Sequence, residues 1–228
     1  MHTGEASEAA PYGAPVDDQH VWSHVMLDQF EYRAGGDGND VSWDGQAWIG
    51  TDTNRLWLKT EGVWRDNGDI EDGKHEILYD RPISTFFDLQ AGLRLDADSM
   101  SGRTWAALGI QGLAPNFFDI SATLYASDKG HVAANFEGSF DLLLTQRLIL
   151  QPQAEINVYG KSDPARGIGS GLADFDAGLR LRYEISRKFA PYVGLSWQRK
   201  FGQTRRFAVM GGDEGEVLLA VFGLRAWL

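Results

Sequence analysis

Apolar and polar residues alternate with a period of two along most of the chain. In residues 172–185, Phe175 and Leu179 fall on one face of an extended strand, and Arg180 and Arg182 fall on the other. Successive side chains of a strand point to opposite faces, so this pattern predicts strands with one apolar and one charged face. A soluble sandwich turns the charged face to water, whereas an outer-membrane barrel turns the apolar face to lipid. One strand leaves both alternatives open.

Twelve such segments follow one another from residue 22 to the end of the chain. They are residues 22–32, 41–50, 55–61, 76–83, 87–96, 105–113, 118–126, 132–144, 150–158, 172–185, 192–200 and 217–228. An even number of strands suits a closed antiparallel sheet in which the first and last strands meet.

The connections between these segments alternate in length. Short ones follow the even segments, at residues 52–54, 84–85, 114–116, 145–147 and 186–188. Longer ones, rich in Gly and Asp, follow most odd segments, at residues 35–40, 62–74, 97–103, 161–171 and 201–215. This alternation is typical of outer-membrane barrels and has no counterpart in sandwiches.

We therefore predict an all-β fold: a single antiparallel transmembrane β-barrel of about 12 strands, with both termini periplasmic. The barrel is expected over residues 19–228, after a flexible N-terminal tail at residues 1–18 that is rich in small and acidic residues. The apolar faces imply outer-membrane lipid as a partner.

Composition narrows the possible partners. The chain has 228 residues, no Cys and a formal net charge of −11. The absence of Cys excludes disulfides and thiolate metal sites. The negative charge argues against a nucleic-acid partner and favours a cationic one.

The charged faces would line the lumen of the barrel. Seven acids form a candidate cation pathway: Asp44, Asp88, Glu137, Asp141, Glu155, Asp174 and Asp176. The alternative is an ion-pair lattice that fills the lumen, built on Arg94, Arg180, Arg182 and Glu184. Both can hold at once, with arginine pairs near one end of the barrel and unpaired acids near the other.

A second candidate site lies on the first strand. His24, Met26 and Asp28 share one strand face, so nitrogen, sulfur and oxygen donors would point the same way. Imidazole and thioether are suitable ligands for copper, although Met26 could equally be a packing residue. Three further histidines are candidate ligands: His20 beside this strand, and His75 and His131 near the long-loop rim.

Enzyme chemistry is not expected. A twelve-stranded phospholipase barrel needs a His and a Ser on one outward face, and no His-x-Ser occurs in the chain. An omptin-like protease would have ten strands and a His–Asp pair that the sequence does not place.

Several stretches resemble one family. They include residues 12–16 (YGAPV), 22–26 (WSHVM), 43–50 (WDGQAWIG), 52–59 (DTNRLWLK) and 189–194 (FAPYVG). These are similar to the copper resistance protein B family of bacterial copper-resistance systems, and the resemblance runs from Tyr12 to Leu228. It implies a barrel in the bacterial cell outer membrane that handles copper ions.

Two hypotheses of function result. In the first, the barrel binds or conducts copper ions through its acidic lumen. In the second, the barrel is plugged and structural, and it docks periplasmic copper-handling proteins.

Overall fold

Twelve antiparallel strands, each paired with the next along the chain, form one sheet in the computed structural model, which describes residues 20–36, 38–66, 68–97 and 102–228. The strands are β1 Trp22–Gly35, β2 Gly38–Gly50, β3 Arg55–Arg65, β4 Ile70–Pro82, β5 Phe87–Asp96, β6 Arg103–Ala114, β7 Phe118–Ser127, β8 in two pieces (Val132–Phe140 and Leu142–Leu143), β9 Leu148–Tyr159, β10 Gly171–Tyr183, β11 Phe189–Lys200 and β12 Glu216–Trp227. Both pieces of β8 pair with β9 and count as one strand. The tail predicted at residues 1–18 lies outside the described residues.

The sheet closes on itself through β1 and β12. Met26 lies opposite Trp227 near one end of this pair, and Ala34 lies opposite Ala220 near the other. Closure satisfies the backbone groups of both edge strands. The predicted twelve-stranded antiparallel barrel is thereby confirmed, and the sandwich alternative is excluded.

The outer face of the barrel is apolar and the inner face is polar. Leu93 and Leu124 on the outer face are 58% and 61% exposed, whereas Glu31 and Arg180 on the inner face are 0% and 1% exposed. Exposed aromatic residues such as Trp22, Phe86 and Phe117 lie near the rim of short turns. An apolar belt bordered by aromatic residues is what a lipid-facing surface requires.

The two rims differ as the connection lengths predicted, with two corrections. The short turns all lie at one rim, together with Trp22 and Leu228. The long loops predicted at residues 35–40 and 62–74 are wrong, because β1 ends at Gly35 and β2 begins at Gly38, while β3 ends at Arg65 and β4 begins at Ile70. The connections over 160–170 and 201–215 are long as predicted.

The last long connection contains a helix that the alternating pattern did not predict, α1 (Gly202–Gly211). The connection after β9 contains one turn of 3₁₀ helix, Pro164–Arg166. No helix in the described part of the chain is long and apolar enough to cross a lipid bilayer.

Part of the barrel interior is packed with aromatic and aliphatic side chains. The buried cluster consists of Trp57, Leu78, Trp105, Ala107 and Tyr125. It lies on the inner faces of β3 to β7, so it lines one wall of the lumen. Ionic groups lie beside this cluster as well as on the other walls, and the guanidinium of Arg94 lies over the rings of Trp105 and Tyr125.

Gly223 lies on β12, across the lumen from the apolar cluster, where the strands are closely packed. It lies across from Tyr192, and a Cβ atom at residue 223 would be 2.6 Å from the Tyr192 hydroxyl and 2.8 Å from the Phe30 carbonyl oxygen. We expect Gly223→Ala to lower the free energy of unfolding by about 1–3 kcal/mol, as overpacking does, measured by urea titration in detergent. Gly211→Ala is the control, since its Cβ would meet nothing within 4 Å. Equal stability of the two variants would contradict the prediction.

Candidate functional site

The short-turn mouth of the barrel holds His24 between two tryptophans. The imidazole centroid lies 5.5 Å from the ring of Trp227 and 6.3 Å from that of Trp48. His20 lies outside this group, exposed, with its ring 4.3 Å from Trp22. His24 is therefore held by aromatic contacts near the chain ends, and His20 does not join it.

Met26 and Asp28 lie deeper on the same face of β1, and both contact one guanidinium. Nη2 of Arg225 donates to Met26 Sδ at 3.4 Å and lies 3.2 Å from Asp28 Oδ1. Gln46 donates to the other Asp28 oxygen at 2.5 Å. A copper ion bound by both Met26 and Asp28 would therefore have to displace Arg225.

A β-bulge at Asp28 brings an additional side chain into the lumen. The pairing of β1 with β2 shifts register between Leu27 and Gln29, so Asp28 is an extra residue. Gln29 consequently also points inward, where it donates to Gln153 at 3.0 Å and accepts from Arg180 at 3.1 Å. The alternating pattern gave no sign of this bulge.

Four of the predicted pathway acids make no ion pair with a lysine or an arginine in the part of the chain that the structure describes: Asp44, Glu137, Asp174 and Asp176. Asp174 accepts a hydrogen bond from Asn157 at 2.8 Å. Asp176 accepts from Ser196 at 3.1 Å and from Gln198 at 2.8 Å. These neutral donors fix the carboxylates without cancelling their charge.

Among the predicted pathway acids, those near the middle of the lumen lie closest to other carboxylates. Asp44 has the charges of Asp28, Glu61 and Glu137 acting on it, with Lys59 as the counter-charge. Glu137 also lies directly opposite Glu155 in the pairing of β8 with β9. Several carboxylates therefore converge at mid-height.

The other three predicted acids have basic partners. Asp88 is 3.2 Å from Arg55, and Asp141 accepts from Arg182 at 2.7 Å. Glu155 is 3.7 Å from Lys74. These acids are already neutralised within the barrel.

Arg94, Arg180 and Arg182 of the predicted lattice each form an ion pair with an interior carboxylate, but the sequence did not predict the partners of Arg180. Arg180 donates to Glu31, which also accepts from Arg33 at 3.1 Å and from Tyr192 at 3.1 Å. The sequence signal for Glu31 was its place on a polar strand face. The bulge at Asp28 hid that this face points into the lumen, because it shifts the alternation by one residue.

The lattice does not lie at one end of the lumen. Arg94 donates to Asp96 at 2.7 Å near the long-loop rim, and Arg182 pairs near the short-turn rim. The expectation that arginine pairs occupy one end is therefore wrong. Glu184 follows β10 and takes part in none of the ion pairs among the described residues.

The loop over residues 160–170 is held at the long-loop mouth of the barrel by two ion pairs. Arg103 donates to Asp163, and Arg166 lies 3.9 Å from Asp96. Burial alone would raise the pKa of Asp163, but the hydrogen bond and the charge of Arg103 outweigh burial and hold that pKa below its usual range. The residues 160–170 thus cover part of this mouth.

His75 and His131 are far from the β1 group. His75 lies on the outer face of β4, the same face as the exposed Ile77. Its Nδ1 atom lies 3.0 Å from the hydroxyl of Thr60. His131 lies in the turn before β8, where its N–H donates to Ser127. In the described residues, no three His, Cys, Asp or Glu side chains come together as metal ligands, so these copper ligands stay predictions.

The closed sheet, the apolar belt and the charged interior define a β-barrel of the outer-membrane porin type. Solved structures agree: the NanC porin has a TM-score of 0.59 at 13% identity, covering 90% of this chain and 99% of that one. The KdgM porin has a TM-score of 0.53 at 11% identity, covering 89% and 98%. At these identities the likeness shows the fold alone.

Sequence comparison gives the family. The profile described as "Copper resistance protein B precursor (CopB)" matches residues 21–228. Copper resistance protein B of Escherichia coli is 43% identical over 215 residues, which cover 94% of this chain and 72% of that protein. A homolog from Pseudomonas syringae pv. tomato is 43% identical over 227 residues, covering 98% and 77%. The chain belongs to the copper resistance protein B family, as the resemblance implied.

The Glu31–Arg180 pair generates a prediction about stability. Arg180→Leu should lower the free energy of unfolding by about 3 kcal/mol, because Glu31 stays buried with only Arg33 and Tyr192 as partners. Unfolding from phospholipid vesicles, followed by tryptophan fluorescence, measures the change.

Arg206→Leu is the matched control, since Arg206 is exposed on α1 and its loss should change stability by less than about 0.5 kcal/mol. The double variant Glu31→Leu/Arg180→Leu should recover part of the loss. An Arg180→Leu barrel as stable as the control would refute a structural role for the pair.

Proposed function

We propose that this barrel lies in the bacterial outer membrane, with its short turns toward the periplasm, and that it binds copper ions in an acidic lumen and lets them pass. The observation that carries the proposal is the set of interior carboxylates that have no basic partner among the residues that the structure describes. Membership of the copper resistance protein B family supplies copper as the cation.

Fixed carboxylates in a restricted space concentrate cations, because their field is weakly screened where little water is present. Asp174 and Asp176 are two residues apart on the inner face of β10, and both are held by neutral donors. A cation moving along this wall would meet charged oxygens whose orientation is already set.

The β1 group offers a different kind of ligand at the short-turn mouth. Imidazole from His24 and thioether from Met26 are softer donors than carboxylate, and they favour copper over Mg²⁺ or Ca²⁺. Under the proposal these two side chains select the metal, and the interior acids carry it.

The acids are tested by Asp174→Asn/Asp176→Asn. Removing two charges should weaken copper binding by the detergent-purified chain about fivefold per carboxylate, since each contributes about 1 kcal/mol in a hydrated site. Metal analysis after equilibration with copper measures the change.

The matched control is Asp52→Asn/Asp128→Asn, which removes two exposed acids at the rims and should leave binding unchanged. If the interior variant retains the binding of the unaltered barrel, the acidic pathway is overturned.

The β1 donors are tested by His24→Ala/Met26→Ala. The expected result is loss of the tightest copper fraction, because the imidazole and the thioether that share one face of β1 have both been removed. The control His75→Ala/Met210→Ala removes the same residue types from elsewhere, the half-buried His75 from the outer face and the exposed Met210 from α1. A loss of copper in the control alone would move the site to the barrel exterior.

A second candidate function rests on the contacts that cross the lumen. Gln29 of β1 bonds Gln153 of β9, and Lys74 reaches Glu155, so side chains from different walls meet. These contacts favour a plugged barrel that docks periplasmic copper proteins on its short turns. Ion conductance separates the two functions.

A further inference from the structure

We infer that Lys74 is the residue that closes the lumen and sets which ions can pass. The inference deepens the proposed cation pathway and rests on it, but it concerns small cations in general and not copper alone. It identifies a selectivity-determining residue that the sequence analysis did not single out.

Lys74 joins two opposite walls of the barrel. Its Nζ atom lies 2.5 Å from Glu61 Oε1 on β3 and 3.7 Å from Glu155 Oε1 on β9. Strands β3 and β9 are six apart in a ring of twelve, so they are diametrically opposite. A single ammonium group that contacts both strands lies across the lumen.

The partners of Lys74 are themselves held in place. Glu155 Oε1 accepts hydrogen bonds from Asn135 at 2.9 Å and from Asn157 at 3.0 Å. Lys74 is only 14% exposed, so little water competes for its ammonium. The bridge is therefore an ordered part of the interior, unlike a flexible surface lysine.

The charges around the bridge favour cations over anions. Glu61, Glu137 and Glu155 act on one another at this level, and Glu137 has no basic partner of its own among the described residues. A mobile cation that takes the place of the Lys74 ammonium would meet the same carboxylates, whereas an anion would be repelled. The ammonium of Lys74, which is covalently part of the chain, thus occupies a site whose carboxylates could also bind a free cation.

A second interior lysine provides the comparison. Lys59 donates to Gln90 at 3.0 Å and to Gln111 at 2.9 Å. Those residues lie on β5 and β6, on the same side of the barrel as β3, so Lys59 does not bridge opposite walls. It carries the same charge at the lumen without closing it.

The experiment compares single-channel conductance and reversal potential of the full chain in planar bilayers under a KCl gradient. Lys74→Met should raise conductance several-fold and shift the reversal potential toward that of K⁺, since Glu61 and Glu155 lose their counter-charge. Lys74→Arg, which keeps a cation there, should behave like the unaltered barrel. Lys59→Met also removes one positive charge from the lumen but leaves the Lys74 bridge in place, so its conductance should rise much less than that of Lys74→Met.

Two results would overturn the inference: unchanged conductance in Lys74→Met, or an equal increase in Lys59→Met, which would mean that any lost positive charge opens the lumen. Lys74→Gln provides a second variant if Lys74→Met does not fold. Adding Glu61→Gln and Glu155→Gln to Lys74→Met should lower cation selectivity below that of Lys74→Met while keeping its conductance, and an unchanged selectivity would be a third result against the inference. Because KCl contains no copper, a barrel that behaves as expected here but binds no copper would overturn the proposed function alone.

Discussion

The pairing of β1 with β12 is the interaction on which the rest of the structure depends. A sheet in lipid must leave no backbone group without a partner, so it has to close, and closure fixes which face of every strand points inward. The closing strand β1 is also irregular, because its register shifts at Asp28 against both of its neighbours. The bulge turns Asp28 toward Arg225 and Gln29 toward Arg180, so the seam that closes the sheet also directs two polar side chains into the lumen.

Closure leaves the interior with an electrostatic problem. Half of each strand faces inward, and charges removed from water are costly unless they are paired. Glu31 with Arg180 solves this by pairing, and it is sealed from solvent. Asp174 and Asp176 do not, because the side chains that bond them in the described part of the chain are neutral hydrogen-bond donors. Unpaired acids contribute less to stability than acids paired with a well-oriented base, and for this reason the proposed cation pathway rests on Asp174 and Asp176 and not on Glu31.

The sequence was sufficient for the barrel and insufficient for its contacts. Period-two alternation predicts strands, faces and rims because each depends only on neighbouring residues. The bulge at Asp28 could not be read, since an inserted residue breaks the assumption on which alternation rests. Helix Gly202–Gly211 was not predicted, because a period of two detects strands and does not detect helices. The partners of Arg180 and Lys74 come from strands far away in the chain, and only the curvature of the closed sheet brings them together.

Two of the attached cations of the lumen, Arg225 and Lys74, bear on how a filled interior could coexist with the proposed cation pathway. The guanidinium of Arg225 binds the sulfur of Met26 and the carboxylate of Asp28, and the ammonium of Lys74 binds the carboxylates of Glu61 and Glu155. An interior ion pair contributes little net free energy, because the cost of removing both charges from water offsets most of their attraction. Exchanging an attached ammonium or guanidinium for a free cation that the same donors hold therefore requires only a small change in free energy. A barrel that is closed by its own cations can thus be stable without cargo and still be opened by cargo of the same charge.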